Sequence, residues 1–333
     1  VVLGVLAAAA AQKADIASLR PQAIEIVTRP FDFARSDPAR RDFGRLEWRG
    51  GLILSSANPA LGGYSGLSLS ADGREMLAVS DAGSWLSARL LRKGGRLVGL
   101  GDARIGPIPQ KDGKPIRNWR HRDAEALAAL VRGKGLEGRY FVAFEGFHRL
   151  DEYEWKDGVF RGPVRRANLP RQLRHMPSNQ GLEGVTVLRG GPYAGSLAAF
   201  AERKLSERGD HTGALVRGGK AYPLFLVRSK EFDITDLESL KDGGLLVLER
   251  SFDRASLKLD IRLRRIAAKE IKPGARLKGE ILLTADAHYV IDNFEAMAVT
   301  ESKAGETIIT LMSDDNFNVF QRTLLAQFAL KAD

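Results

Sequence analysis

The sequence predicts an all-β chain wound as a β-propeller, and three observations lead there. One pattern occurs five times: a small or acidic residue opens an apolar strand, a Gly-containing turn follows, and a second, more apolar strand ends in an acid. Its markers Gly66, Glu125, Glu183, Asp236 and Glu295 fall 59, 58, 53 and 59 residues apart. Between copies lie two further strand-like runs and no stretch of helical spacing. Each repeat therefore supplies four strands, the content of one propeller blade, and a strand-helix-strand arrangement is excluded.

Taken in order, the chain opens on "VVLGVLAAAAAQKA", an apolar run ending in small residues. It reads as a secretory signal without its basic start, so residues 1–11 are expected to be a leader remnant and the working protein periplasmic or secreted. Residues 12–44 read as an N-terminal extension and 45–333 as a single propeller domain. The first copy, "YSGLSLSADGREMLAVSDAG", closes on Asp81. The second opens with Glu125 and closes on Glu145; the third has Glu183 and Glu202; the fourth has Asp236 or Glu238, then Glu249; the fifth has Glu295 and Asp314. The fifth copy ends at "RTLLAQFAL", one strand short, while "GRLEWRGGLILSS" stands spare before the first. Pairing that N-terminal strand into the last blade closes the ring and removes two open sheet edges. Five blades are expected, or six if residues 20–60 contribute more than one strand.

Composition narrows the function. With 44% apolar residues in 333, the chain can bury a sizeable core. The absence of cysteine excludes disulfides, thiolate metal sites and a cysteine nucleophile. Net charge is +10, which favours anionic partners. The basic residues are scattered, without runs or aromatic interleaving, so nucleic acid is not an expected partner. No apolar run is long enough for stable membrane insertion. A monomer acting on a small, phosphorylated or otherwise anionic substrate is expected. A nucleophile elbow, a phosphate loop, a dinucleotide fingerprint and a zinc-protease motif are all missing.

Blade geometry then gathers the acids. The first strand of a blade lines the central channel and its neighbour runs antiparallel, so the start of strand one and the end of strand two emerge on one face. Glu125, Glu145, Glu183, Glu202, Glu249, Glu295 and Asp314 are thus expected around one mouth. So many carboxylates repel one another unless a cation sits among them. An oxygen-only set suits Ca²⁺, and these seven acids are the candidate metal ligands. Neighbouring loops bring Arg122, Arg174, Arg203 and Arg250 to hold the anion, and Glu183 or His175 to take a proton from water. The plainer alternative is that acids and arginines pair with each other across blade junctions and leave a binding module without chemistry. A lactone-opening calcium site would need a neutral ligand, for which Asn179, Asn293 and Asn316 are candidates.

The segments "DNFEAMAV", "ITLMSDDNFNVFQRTLLAQFAL", "GLLVLERSF" and "QGLEGVTVL" closely resemble the bacterial phytase-like family, also described as esterase-like proteins of the phytase type. The resemblance runs from about residue 45 to 330. It implies a β-propeller, frequent export, and kinship in fold with calcium-dependent propeller phytases. It assigns no residue roles, so the site residues rest on blade geometry.

Overall fold

Alternation of apolar and polar residues broken by Gly, Asp and Asn turns makes antiparallel strands, and each repeat folds into one sheet. The computed structural model describes residues 15–170, 173, 181–229 and 231–331. The proposed leader lies outside them. Five sheets form five blades, with innermost strands Tyr64–Leu69, Ala124–Arg132, Leu182–Val187, Asp233–Ser239 and Phe294–Glu301. The six-blade alternative does not hold.

The ring closes as the sequence indicates. Leu46–Ser55 pairs antiparallel with Thr323–Leu330, from Leu46 opposite Leu330 to Leu54 opposite Thr323, and completes the fifth blade. The segment before it is not separate from the blades. Val27–Phe31 extends the fifth sheet and Gln22–Ala23 extends the first. In blade 3 a short strand, Arg276–Leu277, pairs parallel with Lys220–Leu226 before the chain returns to blade 4.

The core lies between blades. Five apolar clusters occupy the five junctions, each built from the facing sides of two neighbouring sheets. The largest, between blades 4 and 5, is anchored by the closing strand. Trp48 there packs on Phe33 and Phe328 at ring-centre distances of 5.4 and 4.9 Å. Between blades 1 and 2, Trp85 meets Trp155 edge-on at 4.9 Å. Each such buried ring contributes roughly 1.5–3 kcal/mol of burial energy, so the ring is held mainly by its junctions.

One local irregularity recurs in every blade and sets up the site. The innermost strand carries a β-bulge near its start, where one residue has no partner on the second strand. The bulged residues are Ser65, Glu125, Glu183, Thr235 and Glu295. A bulge re-aims the side chain it carries. The residue after it must be small where inner strands crowd. A Cβ on Gly66 would come 2.6 Å from the backbone nitrogen of Leu127, and one on Gly184 2.8 Å from the Cβ of Leu237.

Candidate active site at the mouth of the channel

Two rings of side chains follow from this repeat. The bulges place Ser65, Glu125, Glu183, Thr235 and Glu295 at the top of the five inner strands. On each second strand or just past its end, one position beyond the partner of the residue before the bulge, stand Asp81, Glu145, Glu202, Arg250 and Asp314. In four blades their backbone N–H groups donate to Gly63, Asp123, Gly181 and Asn293 respectively. In blade 4 the register pairs Arg250 with Asp233. All residues of the two rings except Thr235 line a cavity of about 1270 Å³ at one end of the channel. Of the expected ligands, Glu125, Glu145, Glu183, Glu202, Glu295 and Asp314 are all there, with Arg203 and Arg250.

Glu249 is a correction. The fourth blade carries Arg250, not an acid, at the position of Glu145 and Glu202. Glu249 is one residue away and so points to the other face of the sheet. It is fully buried, and Arg264 donates to its two carboxylate oxygens at 2.9 and 2.6 Å. Asp236 is likewise displaced by one position from the bulge at Thr235. It accepts the N–H of Met297 at 2.6 Å and that of Leu237 at 2.7 Å, tying blade 4 to blade 5. The Thr235 hydroxyl takes the equivalent channel position and donates to the carbonyl of Phe294 at 3.1 Å.

Arg122 is not among the cavity residues. It ends a short helix, Trp119–Arg122, and its stem lies close against Gly83. Arg174, His175 and Asn179 lie outside the described residues. Two acids that the sequence reasoning had not named as ligands also belong to the mouth. Asp81 lines the cavity, and Asp123 brings a carboxylate oxygen within 4.8 Å of oxygens of Glu125 and Glu145. The signal for both was the repeat itself, since Asp81 closes the first copy and Asp123 stands two residues before Glu125, which opens the second.

The charges are sorted around the ring. On the side of blades 3 to 5, Arg250 donates to Glu295 at 2.5 Å, to Glu202 at 3.4 Å and to the Asn293 carbonyl oxygen. Arg203 donates to Asp233 at 2.8 Å and lies 3.3 Å from Glu202. On the side of blades 1 and 2 stand Asp81, Asp123, Glu125 and Glu145, where Glu145 accepts the N–H of Gly181 at 3.1 Å. Asn293, a candidate neutral ligand, donates to Glu295 at 2.9 Å, while Asn316 lines the cavity.

Burial, then mutual repulsion among the acids, pushes Glu125, Glu183 and Asp314 well above the usual carboxylate range. Burial also raises Glu145. It lifts Glu202 to about 7, against the pull of Arg203 and Arg250. Burial disfavours the charge of Arg250, but Glu295, Glu202 and Glu183 outweigh it and hold the pKa of that guanidinium up. Among the described residues that line the mouth, acids outnumber bases.

Among the described residues no helix is long and apolar enough to cross a membrane. Two of the solved structures similar to the chain illustrate the likeness in fold. One is the β-propeller domain of Cps50 (Swd1) from Myceliophteria thermophila, 9% identical, covering 93% of this chain and 98% of that one, with a TM-score of 0.39. The other is an endo-arabinase from Bacteroides thetaiotaomicron, 11% identical, covering 80% and 94%, with a TM-score of 0.46. No curated protein matches the chain. Residues 59–317 match the model of the phytase-like family, described as esterase-like activity of phytase, and with a match over that span the chain belongs to this family.

Proposed function

We propose that the channel mouth is the active site of an exported, metal-dependent hydrolase of phosphate esters or related esters. The observation that carries this reading is the excess of acids over bases among the described residues of the cavity. Asp123, Glu125 and Glu145 converge within 4.8 Å on the side away from Arg250. Glu183 is raised by burial and then by Glu202, Glu295 and Glu145, and Asp314 by burial and then by Glu295 and Asp81. An oxygen-only donor set of this kind fits a hard divalent cation, and its irregular outline suits Ca²⁺ better than Mg²⁺. Asp123, Glu125 and Glu145 would hold it, with Glu183 facing them.

When bound, the cation supplies polarisation of an ester oxygen and a water of lowered pKa. The remaining work falls to the chain. Arg250 and Arg203 offer guanidinium groups to the anionic part of the substrate across the cavity, and their contacts to Glu202, Glu295 and Asp233 fix them in place. Glu202, with its carboxyl near neutrality, is suited to accept a proton at a carboxylate oxygen from the attacking water. The recessed position of the acids limits bulk water around the reacting group.

The test is turnover of 4-nitrophenyl phosphate and 4-nitrophenyl acetate by chelated and calcium-reloaded protein, with Glu183→Ala and Glu295→Ala alongside. Calcium-dependent hydrolysis that both variants lose is expected. Unchanged activity and metal content in the variants would remove these acids from the site. The ion pairs of Arg250 and Arg203 favour a second reading, a propeller that binds an anionic ligand without turnover. Saturable binding with no hydrolysis of either ester would select it.

A further inference from the structure

The mouth has an apolar rim that the hydrolytic chemistry leaves unused. The turns joining second and third strands all open on this face. In blades 1 and 3 the left-handed residue of that turn is Gly83 or Gly209, at φ of 82° and 76°. Blade 4 puts Leu257 there, at φ 54°, with 75% of its surface exposed. Blade 5 puts Asn316 and Phe317 there, at φ 48° and 49°, and three residues on exposes Phe320 to 85%. A leucine in the left-handed region is strained, and an exposed leucine or phenylalanine gains little from burial. Stability explains neither choice.

The blade 4 part of this rim continues outward from the strand that places Arg250. Phe252 lies two positions further out, hence on the same face of the sheet as Arg250, and is paired across the hairpin with Leu259. The tip is held by Asp253, whose carboxylate accepts the N–H of Ala255 at 2.9 Å and the hydroxyl of Ser256 at 2.6 Å. Phe252, Leu257 and Leu259 line the cavity from blade 4, and Ile291 and Phe320 line it from blade 5. An apolar wall thus rises from the guanidinium outward, continuous with the carboxylate floor.

We propose that the compound taken by this mouth is amphiphilic: an ester whose anionic head meets Arg250 and the carboxylates and whose apolar group rests on Phe252, Leu257 and Phe320. The head rests on the hydrolase reading; the tail rests on the rim alone. A fully polar polyphosphate would leave this wall facing water.

Calorimetric binding of methylphosphonate and octylphosphonate, below the micellar concentration of the latter and with calcium present, separates head from tail. The octyl compound is expected to bind at least about tenfold more tightly, because burial of two or three of its methylenes suffices for that factor. In Leu257→Gly combined with Phe320→Ser the difference should fall below about threefold, with methylphosphonate unaffected. Leu257→Gly alone should melt no lower than the parent, since glycine relieves the backbone. Equal binding of both phosphonates by the parent overturns the inference and leaves the hydrolase standing; binding of neither overturns both. Rim-dependent octyl binding without hydrolysis of any ester keeps the inference and removes the hydrolase. A concentration-dependent dimer that the same substitutions abolish would assign the rim to a second copy of the chain and overturn the proposal.

Discussion

Arg250 takes, in blade 4, the position that holds an acid in the other four blades, and that exchange gives the ring its polarity. Its guanidinium is the partner of both Glu202 and Glu295, and only 19% of its side chain is exposed. Removing one partner of such a pair strands the others in a poorly hydrated place. Arg250→Ala is therefore expected to cost the metal-free protein about 3 kcal/mol in a denaturant titration at neutral pH. A loss below about 1 kcal/mol would mean that these pairs are worth no more than surface ones. Glu249→Gln makes a contrasting case. It leaves Arg264, with 3% of its side chain exposed, without its carboxylate. Stability should fall by a similar amount, about 3 kcal/mol, while turnover per folded molecule stays unchanged. Reduced turnover at unaltered stability would return Glu249 to the site.

At the scale of elements, the closing strand and the bulged inner strands carry the account. Trp48 is the largest anchor of Leu46–Ser55 and is 1% exposed. Trp48→Ala is expected to lower unfolding free energy by about 3–5 kcal/mol and to loosen the junction of blades 4 and 5. Calorimetry checks it; a small loss would show the ring closed by other means. The closing strand was legible because the fifth copy was visibly incomplete and its missing piece stood upstream. Most acids of the mouth were legible because the repeat marks them. The register of blade 4 was not. "TDLE" and "LLVLER" each offer adjacent polar residues, and pattern alone does not say which falls on the bulge. A slip of one residue exchanges the faces, which is why Glu249 and Asp236 were read for Arg250 and Thr235. The rim was hidden for another reason: an apolar residue in a turn looks like any other until its backbone angle and exposure are known.

For the whole molecule, the crowded mouth makes a statement about pH. The carboxyls of Glu125, Glu145, Glu183, Asp236 and Asp314 lie above their unfolded values, and Glu202 lies at about 7. A group raised by folding adds stability that is fully present below its unfolded pKa and is lost as pH rises through the folded one. The metal-free protein should therefore be more stable near pH 5 than near pH 8. Glu202 alone accounts for on the order of 3 kcal/mol of that difference. Asp72 and Asp286, lowered by hydrogen bonds, act in the opposite sense only as pH falls below the carboxylate range, outside this window. His211 and His121, lowered first by burial, oppose the trend inside it and offset part of the gain toward pH 5, but the raised acids outnumber them. A cation in the mouth should cancel the loss, because it favours the ionised acids. The decisive measurement is the melting temperature of chelated and calcium-loaded protein at about pH 5 and pH 8, with Glu125→Gln as the control. The account predicts that calcium raises melting strongly at pH 8, less at pH 5, and little in the variant. Melting indifferent to calcium at both pH values would contradict it, and would mean that the acids are held by the protein's own groups, Arg250 and Arg203 among them.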